Sequence, residues 1–148
     1  MHKILLVLHA VCAGVLAGST THLALQARAV LRGRPNPRLV RLHPPIALAA
    51  WATTTALGFV LYPRYRVFVR AATFDVSMPG MARWFDAKEM LALFVGPLLA
   101  VCVALRSAAL SRDRTRLASW FAANAVVAAA LVWFALVSGL SIVSVRSV

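Results

Sequence analysis

The sequence predicts an all-α integral membrane protein, a four-helix up-and-down bundle with an interfacial loop between the second and third helices. Three observations predict this class: 61% of the 148 residues are hydrophobic, only 14% are charged, and the mean hydropathy is +0.80. Soluble domains average about 45–50% apolar and about 25% charged residues, so this chain carries too much apolar surface for water. The same figures exclude a disordered chain, and two cysteines are too few for a disulfide-stapled module.

Four apolar runs divide a single membrane domain into predicted spans at residues 4–27, 45–62, 89–110 and 117–144. Each run is close to or above the length of about 20 helical residues that crosses a hydrocarbon core. The second run is bounded by Pro44-Pro45 and Pro63, and the third contains Gly96-Pro97, where the missing backbone N–H predicts a kink. Because lipid cannot satisfy backbone hydrogen bonds, each run must be a helix, and short connections make consecutive helices antiparallel.

The connections carry the positive charge. Sixteen Lys and Arg against four Asp and Glu give a formal net charge of +12. These cations lie between the apolar runs or at their ends, which is typical of loops beside a bilayer, and we expect no nucleic-acid partner. One side holds nine arginines, five in residues 28–41 and four in residues 106–116, against seven cations on the other side. This bias predicts that both termini lie outside, and the expected location is a bacterial inner membrane.

The first run allows two further interpretations. Residues 1–17 could be a cleavable signal peptide, with Val15-Leu16-Ala17 as the cleavage site, but apolar character continues past this point to Leu25, which favours a spanning helix. Gly14 and Gly18 form a G-x-x-x-G motif, which either permits close contact with another helix or reflects composition alone.

The connection at residues 62–89 mixes charges with aromatic rings. We expect it to lie in the membrane interface as short amphipathic pieces broken at Pro79-Gly80. Asp86 and Glu89 form a D-x-x-E pattern, which predicts that Asp86 caps the third helix. Structural ion pairs are the favoured interpretation of its charges, with a ligand or partner site as the alternative. The charged residues concerned are Asp75, Asp86, Glu89, Arg66, Arg70 and Arg83.

Polar side chains on the first helix form one stripe about 140° wide. Its members are His9, Cys12, Ser19, His22 and Gln26. Because polar groups are costly in lipid, we expect the stripe to face the bundle interior, where it either carries function or hydrogen-bonds neighbouring helices. Helix–helix hydrogen bonds are likewise expected from Thr53-Thr54-Thr55 and Asn124, whereas Cys12 and Cys102 are expected to pack as free thiols.

His22 and His43 are the candidate cofactor and metal ligands, and His9 is a third candidate. His22 lies near the end of the first helix and His43 at the start of the second, so the predicted topology places them at one depth. Two imidazoles from adjacent helices suit both axial positions of a b-type haem, or two positions of a copper or zinc site. Alternatively, His43 lies only among lipid headgroups, because it follows a strongly basic loop.

The stretch Leu8-His9-Ala10-Val11, with His22 thirteen residues after His9, resembles the helices of cytochrome-b-type membrane bundles and of copper-resistance D-type membrane proteins. The resemblance implies a four-helix membrane fold in which two histidines of one helix serve separate haems. The third and fourth predicted helices contain no His, so a second haem would need an outer ligand such as Met90. One haem, or none, fits the sequence better.

Three functions follow from these residues. An accessory or structural subunit of a larger membrane complex is favoured, because the sequence contains no G-x-x-x-x-G-K-[ST], G-x-S-x-G, H-E-x-x-H or C-x-x-C motif, and no enzyme is expected. The alternatives are a haem- or copper-binding module that transfers electrons through His22 and His43, and a small transporter or channel subunit. The expected partners are the lipid bilayer and either other membrane subunits or a second copy of the chain.

Overall fold

The computed structural model describes residues 2–111 and 115–145, which are almost entirely helical and include no β-strand. The four long helices are α1 (His2–Leu31), α2 (Pro37–Tyr65), α3 (Pro79–Leu105) and α4 (Thr115–Val145). All four are long and apolar enough to cross a membrane, and the all-helical class predicted from the sequence is confirmed. Three of the loop cations that were counted for orientation, Arg112, Arg114 and Arg146, lie outside the described residues.

The long helices pack in a closed ring, α1 against α2, α2 against α3, α3 against α4, and α4 against α1. Contacts between their ends show that neighbours run antiparallel. His22 near the end of α1 stacks on His43 near the start of α2, and Cys102 near the end of α3 contacts Phe121 near the start of α4. The bundle therefore has a terminal end, where α1 begins and α4 ends, and a hairpin end, where α1 passes to α2 and α3 to α4.

The turn between α1 and α2 is held by backbone geometry. Gly33 has φ +68°, a left-handed conformation that glycine adopts without steric cost. Its N–H donates to the Val30 carbonyl at 3.0 Å and the Arg34 N–H donates to Ala29 at 2.9 Å, which is the Schellman pattern of a helix end. The side chain of Asn36 then caps α2 by accepting from the N–H of Arg38 at 3.1 Å. Two consecutive caps thus fold α2 back along α1.

The second helix starts earlier than predicted. Pro37 occupies its first turn, where the missing N–H costs nothing, whereas Pro44 and Pro45 lie inside the helix and do not end it. These prolines suggested a start near residue 45 because proline usually breaks a helix interior. The Asn36 cap and the fixed φ of Pro37 provide a better start eight residues upstream.

The predicted interfacial loop between the second and third spans is instead helical. After Tyr65 the chain continues as a π-helix, Arg66–Phe74, and a short helical turn, Asp75–Ser77. The helical path is interrupted at Met78 (φ −141°, ψ 61°), and α3 begins at Pro79, ten residues before the predicted span. The break expected at Pro79-Gly80 is therefore the start of a long helix, because proline suits a first helical turn.

The predicted cap at Asp86 is wrong, since Asp86 lies inside α3. Its two carboxylate oxygens accept hydrogen bonds from Arg70, at 2.7 Å from Nη1 and 3.0 Å from Nη2. This bidentate pair joins the π-helix to α3, and charge-assisted bonds of this kind are among the stronger hydrogen bonds in proteins. The D-x-x-E pattern was misleading because an acid paired with a distant arginine leaves the same local signature.

Small side chains fill the centre of the ring. Four of the buried core residues are the alanines Ala27, Ala47, Ala125 and Ala128, and three larger fully buried ones are Leu23, Leu99 and Phe121. A second cluster closes the terminal end and consists of Val69, Phe74, Ala82, Phe85 and Ile142. The alanines leave room for the helices to approach closely at the centre, and larger rings gather at the end where the π-helix packs.

Large apolar side chains cover the outside of all four helices. Exposed fractions reach 62% for Val7 on α1, 66% for Phe59 on α2, 58% for Phe94 on α3 and 64% for Leu140 on α4. Gly14 and Gly18 also lie on this outer surface, with no atom within 4 Å of the position a Cβ would take. The G-x-x-x-G motif therefore forms no close helix contact within the chain, although the sequence allowed one.

Trp51 anchors α2 to α3. Its indole N–H donates to the Ala92 carbonyl at 2.9 Å, and its six-membered ring lies directly over Gly96. A Cβ on Gly96 would overlap three carbons of that ring, so the contact requires glycine. A buried Trp generally needs a partner for its N–H, and Ala92 supplies it one turn before Gly96.

We expect Gly96→Ala to lower the free energy of unfolding by about 1–3 kcal/mol, the usual cost of overpacking a rigid interior. Unfolding of the purified protein in mixed micelles, followed by tryptophan fluorescence, measures this change. Gly139→Ala is the control, because no atom lies within 4 Å of its Cβ position and alanine favours helix by about 1 kcal/mol. Equal stabilities of the two variants would contradict the packing of Trp51 on Gly96.

Candidate functional site

The predicted polar stripe lies along the seam between α1 and α2. At the hairpin end, the side-chain oxygen of Gln26 accepts a hydrogen bond from the backbone N–H of Asn36 at 3.1 Å. Closer to the middle, His22 stacks on His43, and near the terminal end His9 lies against Gly58. His9 and His22 thus contact α2 at two depths, and Gln26 contacts the residue that caps it.

The expectation that the whole stripe faces the interior needs correction. Ser19 is buried, and His9, Cys12 and Gln26 are half-buried, but His22 is exposed on the outside of the bundle. The buried face of α1 is centred on Leu16, Leu23 and Ala27. His22 lies about 140° away from His9 and Ala27 around the helix, counting 100° per residue, which places it at the outer edge of the seam.

His22 and His43 form a face-to-face pair. Their ring centroids are 5.0 Å apart and their planes differ by 15°. His43 is half-buried, and its Nδ1 is buried with no hydrogen-bond partner among the described residues. The predicted common depth of the two histidines is therefore present in the structure, because the Gly33 turn and the Asn36 cap set the register between α1 and α2.

This geometry does not fit a haem iron held between the two rings. Axial ligands of one iron point a nitrogen at the metal from opposite sides, with about 2 Å for each bond and therefore about 4 Å between the nitrogens. Each ring centre lies behind its ligating nitrogen, so two axial imidazoles have centroids farther apart than that. The rings of His22 and His43 instead face each other at 5.0 Å and leave no room for a porphyrin between them.

A complete metal-ligand set is not assembled either. Within residues 2–111 and 115–145, no group of three or more His, Cys, Asp or Glu side chains could hold a metal ion. Structural zinc sites use four protein ligands and catalytic ones three, so His22 and His43 alone are an incomplete set. Cys12 and Cys102 are both free thiols; Cys102 is fully buried and lies 3.8 Å from the Phe121 carbonyl.

His9 lies apart from His22 and His43. Its Cε1 would lie 3.5 Å from a Cβ on Gly58, and its Nδ1 is buried with no hydrogen-bond partner in the described part of the chain. Thirteen residues of helix, about 20 Å of rise, separate it from His22. Met90, the suggested outer haem ligand, is 65% exposed. The structure therefore does not bring His9 together with the other candidate ligands.

The polar residues of the other helices bond mainly within their own helix. The Thr53 hydroxyl donates to the Ala49 carbonyl at 3.0 Å, and the Asn124 amide donates to Trp120 at 2.8 Å. These bonds correct the expected helix–helix hydrogen bonds at Thr53 and Asn124. A Ser, Thr or Asn side chain reaches the carbonyl four residues earlier without any partner helix, which explains the difference.

The predicted ion pairs of the terminal end are formed by only some of the named residues. Arg70 binds Asp86 through both terminal nitrogens, and its Nε lies 3.6 Å from Asp75. Glu89 pairs at 2.8 Å with its neighbour Lys88, which was not among the predicted partners. For Arg66 and Arg83, no ion pair is found in residues 2–111 and 115–145.

Sequence reasoning missed two polar residues of α1, of which one bonds within the helix and the other bonds to α4. Thr20 is fully buried, with its hydroxyl donating to the Leu16 carbonyl at 2.8 Å, and Thr21 accepts the indole N–H of Trp133 at 2.9 Å. Thr20 and Thr21 lie between the stripe members Ser19 and His22. The two consecutive threonines could have indicated this, because hydroxyl groups in an apolar helix generally need a hydrogen-bond partner.

We expect the purified protein to show no Soret absorption band, even when expressed in cells supplied with haem, because the stacked rings cannot coordinate one iron from opposite sides. Absorption spectra of the oxidised and dithionite-reduced protein provide the measurement. A Soret band that disappears in both His22→Ala and His43→Ala, but not in His2→Ala, would overturn this expectation.

The resemblance of α1 to cytochrome-b-type and copper-resistance D-type proteins stays a prediction. No protein-family model, curated protein or solved structure matches this chain.

Proposed function

We propose that this chain is a small integral membrane protein and serves as an accessory or structural subunit of a larger membrane complex. Its apolar outer surface supports placement in a bilayer, since large exposed apolar side chains occur on all four helices. We place it in a bacterial inner membrane, and the cation bias supports an orientation with the hairpin end in the cytoplasm and both termini outside.

The proposal of a partner subunit depends on the outer face of α1. Gly14, Gly18 and His22 lie on this face, all three exposed, with open space beyond both glycines. An imidazole that faces lipid inside an apolar helix is costly, whereas small residues beside it allow a second backbone to approach closely. A transmembrane helix of another subunit would cover the glycines and give His22 a polar partner.

The remaining polar groups support a structural role. Arg70 is held by Asp86 and Asp75, Trp51 is bonded to α3, and Thr21 is bonded to Trp133 of α4. These side chains connect parts of the bundle to one another. Their contacts stabilise a rigid scaffold on which the outer face of α1 is presented.

We expect Gly18→Leu to release the protein from its complex without disturbing the bundle, because the new side chain projects outward into the space that a partner helix would occupy. Blue-native electrophoresis of mild-detergent extracts measures the size of the complex. Gly139→Leu on α4 is the matched control, since its Cβ position is equally open. If the wild-type chain migrates alone, or if both variants behave alike, the partner assignment fails.

Replacing Arg32, Arg34, Arg38 and Arg41 by Gln is expected to produce a mixture of orientations, because the excess of cations at the hairpin end is then lost. A periplasm-active phosphatase fused to the C-terminus reports the side on which α4 ends. The wild-type fusion should be active, and the four-fold variant should lose a large part of that activity. An inactive wild-type fusion would reverse the proposed orientation.

A further inference from the structure

A groove opens on the outside of the terminal end, along the last turn of α2 and the π-helix. Tyr62, Arg66, Arg70, Ala71 and Asp75 line it. Its volume is about 430 Å³, within the range of about 300–1,000 Å³ typical of small-molecule sites. π-Helical turns are rare and frequently mark functional positions, and here the wide turn brings Arg66, Arg70 and Asp75 to one surface.

The charged side chains of the groove differ in how far each is already paired with an opposite charge. Both terminal nitrogens of Arg70 are occupied by Asp86, at 2.7 and 3.0 Å. Asp75 has only a 3.6 Å contact to the Arg70 Nε, and its side chain is 49% exposed. Arg66 forms no ion pair with any described residue. The groove therefore offers one free guanidinium and one largely free carboxylate, beside a pair that neutralises itself.

The position of the groove matches the headgroup layer of a bilayer. The helix α2 alone has 29 residues, about 44 Å at 1.5 Å per residue, which exceeds a hydrocarbon core of about 30 Å. The apolar run of α2 ends near Tyr62, so the residues that follow lie beyond the core. Val67 and Phe68 beside the groove are 58% and 57% exposed, and they can contact acyl chains while the charged groups face the headgroups.

We propose that this groove binds a zwitterionic phospholipid headgroup of the phosphatidylethanolamine type, with the phosphate on Arg66 and the ammonium on Asp75. An anionic headgroup is less suitable, because Arg70 is already neutralised and Asp75 repels a phosphate that lacks a neighbouring cation. A choline headgroup is also less suitable, because its quaternary nitrogen has no N–H to donate to the Asp75 carboxylate. The inference rests on the membrane placement proposed above.

Native mass spectrometry of the full chain, released from nanodiscs of defined lipids, tests this assignment. We expect phosphatidylethanolamine to be retained at least tenfold more than phosphatidylcholine or phosphatidylglycerol. Arg66→Gln and Asp75→Asn should each reduce the preference to about twofold or less. Arg83→Gln is the matched control, since Arg83 is exposed at the same end, forms no ion pair with a described residue, and does not line the groove.

Three results would overturn the inference. Retention of phosphatidylglycerol equal to or above that of phosphatidylethanolamine would show an anion site. Equal effects of Arg83→Gln and the two groove variants would show general charge attraction. Competition by soluble glycerophosphoethanolamine at the same concentration as the lipid would show that the ligand is a soluble phosphodiester.

Carbonate extraction distinguishes a failure of the lipid assignment from a failure of the proposed function. A chain that carbonate releases from membranes is not an integral membrane protein.

Discussion

Close approach of helix backbones is the constraint on which this structure depends. In lipid, apolar side chains gain nothing by leaving one hydrocarbon surface for another, so helices associate through tight packing and a few polar contacts. The interior meets this requirement with alanines at its centre and with glycine where the Trp51 ring crosses α3. The indole N–H groups of Trp51 and Trp133 add hydrogen bonds between helices to that packing.

The polar groups are distributed so that each end of the bundle has its own chemistry. At the hairpin end, seven described arginines lie at or near the ends of the four long helices, and none of them forms an ion pair with a described residue. These are Arg28, Arg32, Arg34, Arg38, Arg41, Arg106 and Arg116. At the terminal end, Asp75, Asp86 and Glu89 each contact a cation, and aromatic rings pack beneath them. The charge that remains free is therefore concentrated at the hairpin end.

Composition and run length were sufficient to predict the four helices, because both reflect the solvent around the whole chain. The helix ends were less predictable, since Pro44 and Pro79 have the same covalent restriction but different outcomes, one inside a helix and the other in its first turn. The depth of His22 and His43 followed from antiparallel topology alone. The stacking of their rings did not, because it depends on how α1 is rotated about its axis, and hydropathy does not determine that angle to within the width of one side chain.

The contact between α1 and α4 has a consequence for biosynthesis. Trp133 donates to Thr21, and 112 residues separate the two along the chain. The ribosome completes α1, α2 and α3 before α4 leaves the exit tunnel, so the ring remains open on one side until α4 emerges. During that interval the threonine side of α1 is not covered by α4, and arrival of α4 closes it.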